Sequence, residues 1–196
     1  VVIEGDGIRF AQEYVKTHPA RVRYHQKFKT AVLIFEDGFK VDIATARSEY
    51  YESPAALPVV ELSSIKMDLY RRDFTINTLA VKLNERHFGI LIDFFGAQKD
   101  LKEKTVRVLH NLSFVEDPTR AFRAVRFEQR FGFKIGKLTL NLIENAVRIG
   151  AIEKLAPKRI FTELQLILSE EDPWPMIKRL FELNLLQAVH PEWTLP

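Results

Sequence analysis

The first half of the chain is written in short apolar runs at strand length. "RVRYH", "TAVLIF" and "FKVDIA" are rich in β-branched and aromatic residues, and "EDGF" between the last two supplies turn chemistry. The pattern predicts an antiparallel hairpin over residues 30–44. "VVI" reads as another strand, and Glu4-Gly5-Asp6-Gly7 as a turn into a helix over "GIRFAQEYVK". Past residue 110 the period changes. Apolar residues recur at helical spacing through "TRAFRAVRFEQRF", "LTLNLIENAVRI", "KRIFTELQLIL" and "PMIKRLFELNLL", with Gly132, Gly136, Gly150, Pro157, Pro173 and Pro175 at the joints. Two parts follow, an α/β part over 1–110 and an all-helical part over 111–196. In the helix around residue 125, Phe122, Val125 and Phe131 fit a buried face, and Trp174 and Trp193 are expected to pack. Residues 48–64, "SEYYESPAALPVVELSS", bear prolines and lack helical periodicity, and are expected to be mobile or disordered.

Composition narrows the classes. A chain of 196 residues with 46% hydrophobic content buries a proper core. It has no apolar run of about 18 residues, and its start lacks the basic, then long apolar, pattern of a signal peptide, so no membrane partner is expected. Without cysteine there is no disulfide, thiolate metal site or cysteine nucleophile; the expectation is a soluble, cytoplasmic protein. The net charge of +3 is too small to define a partner. The positions of the charges must do that. His18, His25, His87, His110 and His190 are scattered without ligand spacing.

Two stretches carry candidate chemistry. In "RRDFTINTLA" Asp73 is expected to cap a helix over 74–80, placing Arg71 and Arg72 where an anion would sit, with Asn77 one turn along on the same face. The alternative is a plain cap with solvated arginines. In "FVEDPTRAFRAVRFEQRF" Glu116 or Asp117 opens a helix with Pro118 in its first turn, which gathers Glu116, Asp117, Arg120 and Arg123 on one face. A carboxylate beside a guanidinium offers both acceptors and donors to the edge of a base, which a phosphate patch would not need. Arg126 and Arg130 extend the basic stripe, consistent with an RNA or triphosphate backbone. Ion pairing along an exposed helix is the alternative.

"RRDFTINTLAV", "LIDFFGAQKDLKEKTVRVL" and "FVEDPTRAFRAVRFEQRFGFKI", in that order, resemble the class II tRNA nucleotidyltransferase and poly(A) polymerase family: CCA-adding enzymes, A-adding enzymes and bacterial poly(A) polymerases. The resemblance implies an α+β fold, a nucleotidyltransferase palm with a mixed or antiparallel sheet over 1–110 followed by an all-α neck over 111–196. It implies that Arg71, Arg72, Asp73 and Asn77 meet the ribose and triphosphate of an incoming nucleotide. Glu116, Asp117 and Arg120 match the family's EDxxR signature, in which aspartate and arginine pair with the base of CTP or ATP and glutamate orients the arginine; Arg123 would reach phosphate. Asp93, Gly96, Asp100 and Leu101 match a hinge segment, from which Ala97 and Lys99 depart. Arg159 and Glu163 resemble a later neck motif of structural character.

The family's reaction uses a D-x-D pair on a strand to hold two Mg²⁺ ions, and no D-x-D or Gly-rich turn occurs here. In the family that pair precedes a strand like "VVIEGDG". The expectation is therefore a fragment whose catalytic residues lie upstream, with further N-terminal domains in the parent chain, and which binds ATP or CTP but does not itself catalyse transfer. Asp42 matches an acidic position on the adjacent strand and is the candidate metal ligand; a solvent-facing aspartate is the alternative. The implied partners are RNA, a tRNA 3′ end first, and nucleoside triphosphates. Poly(A) polymerase and a non-catalytic RNA- or nucleotide-binding module are the alternatives.

Overall fold

The computed structural model describes residues 1–195, with Lys27 by its backbone alone. The chain forms two compact units, one of residues 1–50 with 59–71, the other of 51–58 with 72 onward. The architecture is α+β, as the pattern implies.

The first unit holds β1 (Val2–Ile3), α1 (Gly7–Tyr14), β2 (Ala20–His25), β3 (Thr30–Phe35), β4 (Lys40–Thr45), β5 (Arg47–Tyr50), β6 (Val59–Leu62) and α2 (Ile65–Tyr70). Four strands make a mixed sheet in the order β1-β4-β3-β2, with β1 parallel to β4 and the remaining pairs antiparallel. The predicted hairpin is present. Its turn closes through the Phe35 amide donating to the Phe39 carbonyl at 2.9 Å, with Gly38 at φ +83°, a conformation that needs no Cβ.

Strand alternation sends Ala31, Leu33 and Ile43 to one face, where they bury against Ala11 of α1, and Val32 and Asp42 to the other. Helix α1 starts at Asp6, whose carboxylate accepts from the Arg9 amide. Its first turn is pinned to β4: the Gly7 amide donates to Thr45 Oγ1 at 3.0 Å, and a Cβ on Gly7 would lie 3.1 Å from the Thr45 nitrogen and 3.2 Å from the Ala44 carbonyl carbon. A side chain there would require its neighbours to give by a few tenths of an ångström. β5 and β6 pair antiparallel from Arg47↔Leu62 to Tyr50↔Val59, so regular structure occupies both ends of the stretch expected to be mobile or disordered. Its β-branched "PVVEL" end finds a partner strand the local pattern does not reveal.

The second unit holds β7 (Ala80–Val81), β8 (Leu91–Ile92), α3 (Ala97–Lys102), β9 (Thr105–Val106), α4 (Ser113–Glu116), α5 (Thr119–Phe131), β10 (Lys134–Ile135), α6 (Lys137–Arg148), α7 (Pro157–Leu168), α8 (Trp174–Glu182) and α9 (Leu185–Val189). Helix α5 runs through its core, packed on α7 and α8, and Phe74, Phe114, Phe122, Val125, Ile143, Ile167 and Leu180 are fully enclosed.

Four expectations fail in this unit. No helix spans 74–80: the chain makes a 3-10 turn at Thr75–Asn77 and then enters β7. Phe74 is extended and bridges Val108, and the Thr75 amide donates to the Arg107 carbonyl, so the backbone is committed to a neighbouring segment before a helical turn can form. The helical half contains a short strand, β10, parallel to β9. The last run breaks into α8 and α9 at Asn184, which takes the left-handed conformation at φ +55° without a glycine. Phe131 and Trp174 are 48% and 54% exposed, so neither is a core residue; Phe131 instead stacks on Phe127 at the helix end, while Trp193 packs on the His190 ring.

Candidate functional site

Asp73 is the pivot of the site in the second unit. Its residue is buried, and its carboxylate caps no helix. Oδ1 accepts from the Phe74 amide at 2.9 Å and from Asn77 Nδ2 at 2.8 Å, while Oδ2 accepts from Arg123 Nε at 2.7 Å and lies 2.6 Å from Arg123 Nη2. Arg72 Nη1 donates to the Asn77 carbonyl at 2.8 Å. The RRD segment is thus tied on itself and to the middle of α5, fifty residues away. Beneath it, Thr75 Oγ1 donates to Asp100 Oδ2 at 2.6 Å, and Asp100 Oδ1 pairs with Arg107 at 3.0 Å.

The signature at the start of α5 is divided between two helices. Glu116 closes α4, Asp117 is the bend, and Pro118 precedes the first residue of α5. Asp117 Oδ1 accepts from the amide and hydroxyl of Thr119 and from Arg159 Nη2 at 2.7 Å, so the aspartate covers the first turn of α5 and is fixed from α7. Arg159 also donates to the Ala55 carbonyl at 3.2 Å. Arg120 is buried, with Nη1 donating to Ser113 Oγ at 2.8 Å.

Electrostatics follow from this enclosure. Burial raises the pKa of Glu116, and the nearby Arg120 works against that rise. His110 Nε2 lies 3.5 Å from Glu116 Oε2, close enough for an ion pair, but burial first and Arg120 second lower the imidazole's pKa. The contact is therefore between Glu116 and a largely neutral ring. For Arg123, burial disfavours the charged form, yet Asp73, Glu163 and Asp117 together outweigh it and raise its pKa. Glu163 is pushed up by burial, against the pull of Arg123 and Arg126, and its Oε2 is buried without a hydrogen bond among the described residues.

Arg126 is buried rather than part of an open basic stripe. Its Nη1 lies 3.5 Å from Glu170, which also meets Arg130 at 3.4 Å, so these arginines brace α5 against the end of α7.

Asp93 accepts from the Ala97 and Gln98 amides at the start of α3, and Gly96 stands there at φ +76°. Those hydrogen bonds hold the Asp93 pKa below its ordinary value against the opposing effect of burial.

In the first unit, Arg71 caps the C-terminal end of α2. Its guanidinium meets Asp68 Oδ1 at 2.9 Å and Glu49 Oε1 at 3.0 Å, and Glu49 also takes Arg47 at 2.9 Å. Asp42 lies exposed on β4. A single carboxylate gives Mg²⁺ at most one protein ligand, and among the described residues no group of three or more His, Asp or Glu side chains is placed to hold a metal ion. The described residues do not by themselves make a Mg²⁺ site.

The structure therefore brings Arg72, Asp73, Asn77 and Arg123 together and sets Glu116, Asp117 and Arg120 at the head of the same helix. Ser113 and Glu49 are absent from the sequence reading, His110 stands in it only as one of five scattered histidines, and Arg159 is read as structural. Their partners are chosen by tertiary packing, and spacing alone holds no signal for them.

Residues 1–107 match the family described as "Poly A polymerase head domain", and residues 132–195 match "Probable RNA and SrmB-binding site of polymerase A". The chain is 61% identical over 195 residues to an A-adding tRNA nucleotidyltransferase of Geobacter sulfurreducens, covering 100% of this chain and 22% of that protein. It is 44% identical over 170 residues to the A-adding tRNA nucleotidyltransferase of Aquifex aeolicus, covering 87% of this chain and 20% of the relative. Among solved structures, a CCA-adding enzyme in an apo form superposes with a TM-score of 0.96 at 48% identity, and the Thermotoga maritima CCA-adding enzyme complexed with tRNA superposes at 0.85 and 44% identity. This chain is covered fully in both, the other chains to 46% and 44%. The chain thus spans about a fifth of those two curated relatives and under half of the solved structures.

Proposed function

Because the chain belongs to the poly(A) polymerase head-domain family, we propose that it is the nucleotide-selecting part of a template-independent RNA nucleotidyltransferase that adds CMP or AMP to tRNA 3′ ends. The observation that carries this reading is the Asp73–Arg123 pair, which couples the RRD segment to α5, the helix that bears Arg120 and follows directly on Glu116 and Asp117. A family resemblance predicts that the two motifs share one ligand; the 2.7 Å link joins them.

The chemistry of selection follows from the side chains. CTP and ATP each present an exocyclic amino group beside an unprotonated ring nitrogen, whereas UTP and GTP present a carbonyl beside a ring N–H. Asp117 accepts from the amino group and Arg120 donates to the ring nitrogen; the wrong bases meet acceptor with acceptor and donor with donor. Glu116 orients Arg120, and Arg71, Arg72, Asp73, Asn77 and Arg123 hold ribose and triphosphate. Asp93, Gly96 and Asp100 form the hinge between a head over 1–110 and a neck over 111–196. Asp42 supplies one carboxylate to Mg²⁺, and with no D-x-D in the sequence the residues here account for selection, not for the transfer step. The two A-adding relatives favour terminal-A addition over synthesis of the whole CCA.

The test is incorporation of labelled CTP and ATP, separately and together, by the full-length protein with Mg²⁺ on tRNA transcripts ending before CCA, on transcripts ending in CC, and on an unrelated RNA. Addition of CCA, or of a terminal A, to tRNA alone supports the reading. Long A tracts on any RNA point to a poly(A) polymerase, and no incorporation overturns both.

A further inference from the structure

Most arginines of this chain are held by carboxylates or carbonyls. Those of β2 are not. Strand β2 is the edge of the four-stranded sheet, and the register sets Arg21 opposite Ile34 and then Lys40, and Arg23 opposite Val32 and then Asp42. These rows lie on the face opposite to the one that Ala31, Leu33 and Ile43 pack against α1. Arg21, Arg23, Lys40 and Asp42 are all exposed, and Val32 and Ile34 between them are half-buried. Among the described residues none gives Arg21, Arg23 or Lys40 a hydrogen bond or an ion pair, in contrast to Arg47 and Arg71 of the same unit, which share Glu49.

Strand geometry fixes the spacing of these charges. Side chains two apart on one face are separated by about 7 Å, comparable to successive phosphates of an extended strand, and β2 lies about 10 Å from β4 across the sheet. A linear polyanion laid along β2 therefore meets a guanidinium at each step, an aliphatic floor of Val32 and Ile34 beside it, and the Asp42 carboxylate one row across.

We propose that this sheet face is a track for the 3′-terminal strand of an RNA primer, with Arg21 and Arg23 on successive phosphates along β2 and with Lys40 and Asp42 across the sheet from them on β4. The proposal rests on the reading of the chain as part of an RNA nucleotidyltransferase. It assigns these cations to RNA and not to the incoming triphosphate, which the RRD segment and α5 hold. A purely structural use of edge-strand charge is to stop sheets pairing edge to edge, and that use makes a different prediction.

The experiment compares the full-length protein with its R21Q/R23Q variant and with the charge-preserving R21K/R23K. Affinity for a CC-ended tRNA transcript is measured by filter binding across a salt series, KM for ATP by incorporation, and association state by sedimentation. Loss of two single-stranded phosphate contacts lowers the slope of log affinity against log salt by about 1.4. The proposal predicts that change in R21Q/R23Q, at least partial recovery in R21K/R23K, and an unchanged KM for ATP and sedimentation coefficient. A salt slope equal to that of the parent protein overturns it, as does a rise in KM for ATP with tRNA affinity intact. Self-association without loss of tRNA affinity assigns the arginines to edge protection and also overturns it. If the unsubstituted protein neither binds nor extends tRNA, the parent reading fails together with this one.

Discussion

Uncoupling Asp73 from Arg123 is the sharpest perturbation the structure offers. Two guanidinium nitrogens converge on one carboxylate oxygen at 2.7 and 2.6 Å, and the Asp73 side chain is only 9% exposed. A charge-assisted hydrogen bond of this kind contributes about 1.5–3 kcal/mol, more than a neutral one, because an unpaired buried carboxylate keeps its desolvation cost. The Arg123 side chain is 32% exposed, so solvent screening reduces the figure, and Asp73 keeps its bonds from Phe74 and Asn77 when the arginine is removed. The expected coupling is therefore about 2 kcal/mol, the middle of that range. A double-mutant cycle of D73N, R123Q and D73N/R123Q in urea unfolding reads it directly, since each single change removes the pair and the double change removes nothing further. Each single variant should also lose several degrees in Tm, at about 2–4 °C per kcal/mol for a chain of this size. A coupling below about 0.5 kcal/mol would refute the claim that this pair ties the two motifs together.

Further outcomes follow from other contacts. Arg159→Gln releases Asp117 from its 2.7 Å partner and should weaken ATP binding about tenfold, one charge-assisted bond's worth, while leaving tRNA affinity unchanged; equal losses in both would make Arg159 a folding residue only. Gly7→Ala forces a Cβ to about 3.1 Å from Thr45 and should cost about 1–3 kcal/mol in a thermal melt, and an unchanged Tm would show that α1 can move off β4. His110 has its pKa lowered below 6.5 by burial and by Arg120, so the folded state takes up protons less readily than the unfolded one. Its contribution is whole above pH 6.5 and is lost as the pH falls through 6.5 toward the folded value, so stability should decline over that window. His110→Gln should flatten this part of the urea-midpoint profile, and an unaltered slope would place the titration elsewhere.

What could be read from the chain follows the range of the interactions. The hairpin over 30–44 and helix α5 are written in local period and turn chemistry, and the structure carries both. Asp73 does not take the helix-capping role its position suggests. As a residue before an apolar run it has the look of a helix cap, and only the bridge from Phe74 to Val108 and the Thr75 bond to Arg107 turn the backbone away from helix and free its carboxylate for Arg123. Arg126 illustrates the same limit from the other side. In the helical stripe it is one more cation for RNA, whereas tertiary packing buries it within reach of Glu170, forty-four residues on. Ser113 and Arg159 fix Arg120 and Asp117 from a neighbouring helix and from α7, at separations no local pattern encodes.

The central claim is that Asp117 and Arg120 choose the nucleotide. Equilibrium titration of the protein with CTP, ATP, UTP and GTP, alongside an Asp117→Ala variant, tests it without dependence on the transfer step. The account predicts that CTP and ATP bind, that UTP and GTP bind at least tenfold more weakly, a difference of about 1.4 kcal/mol, and that Asp117→Ala removes the preference while retaining weak triphosphate affinity. Equal affinity for all four nucleotides, or a preference that survives Asp117→Ala, would contradict it.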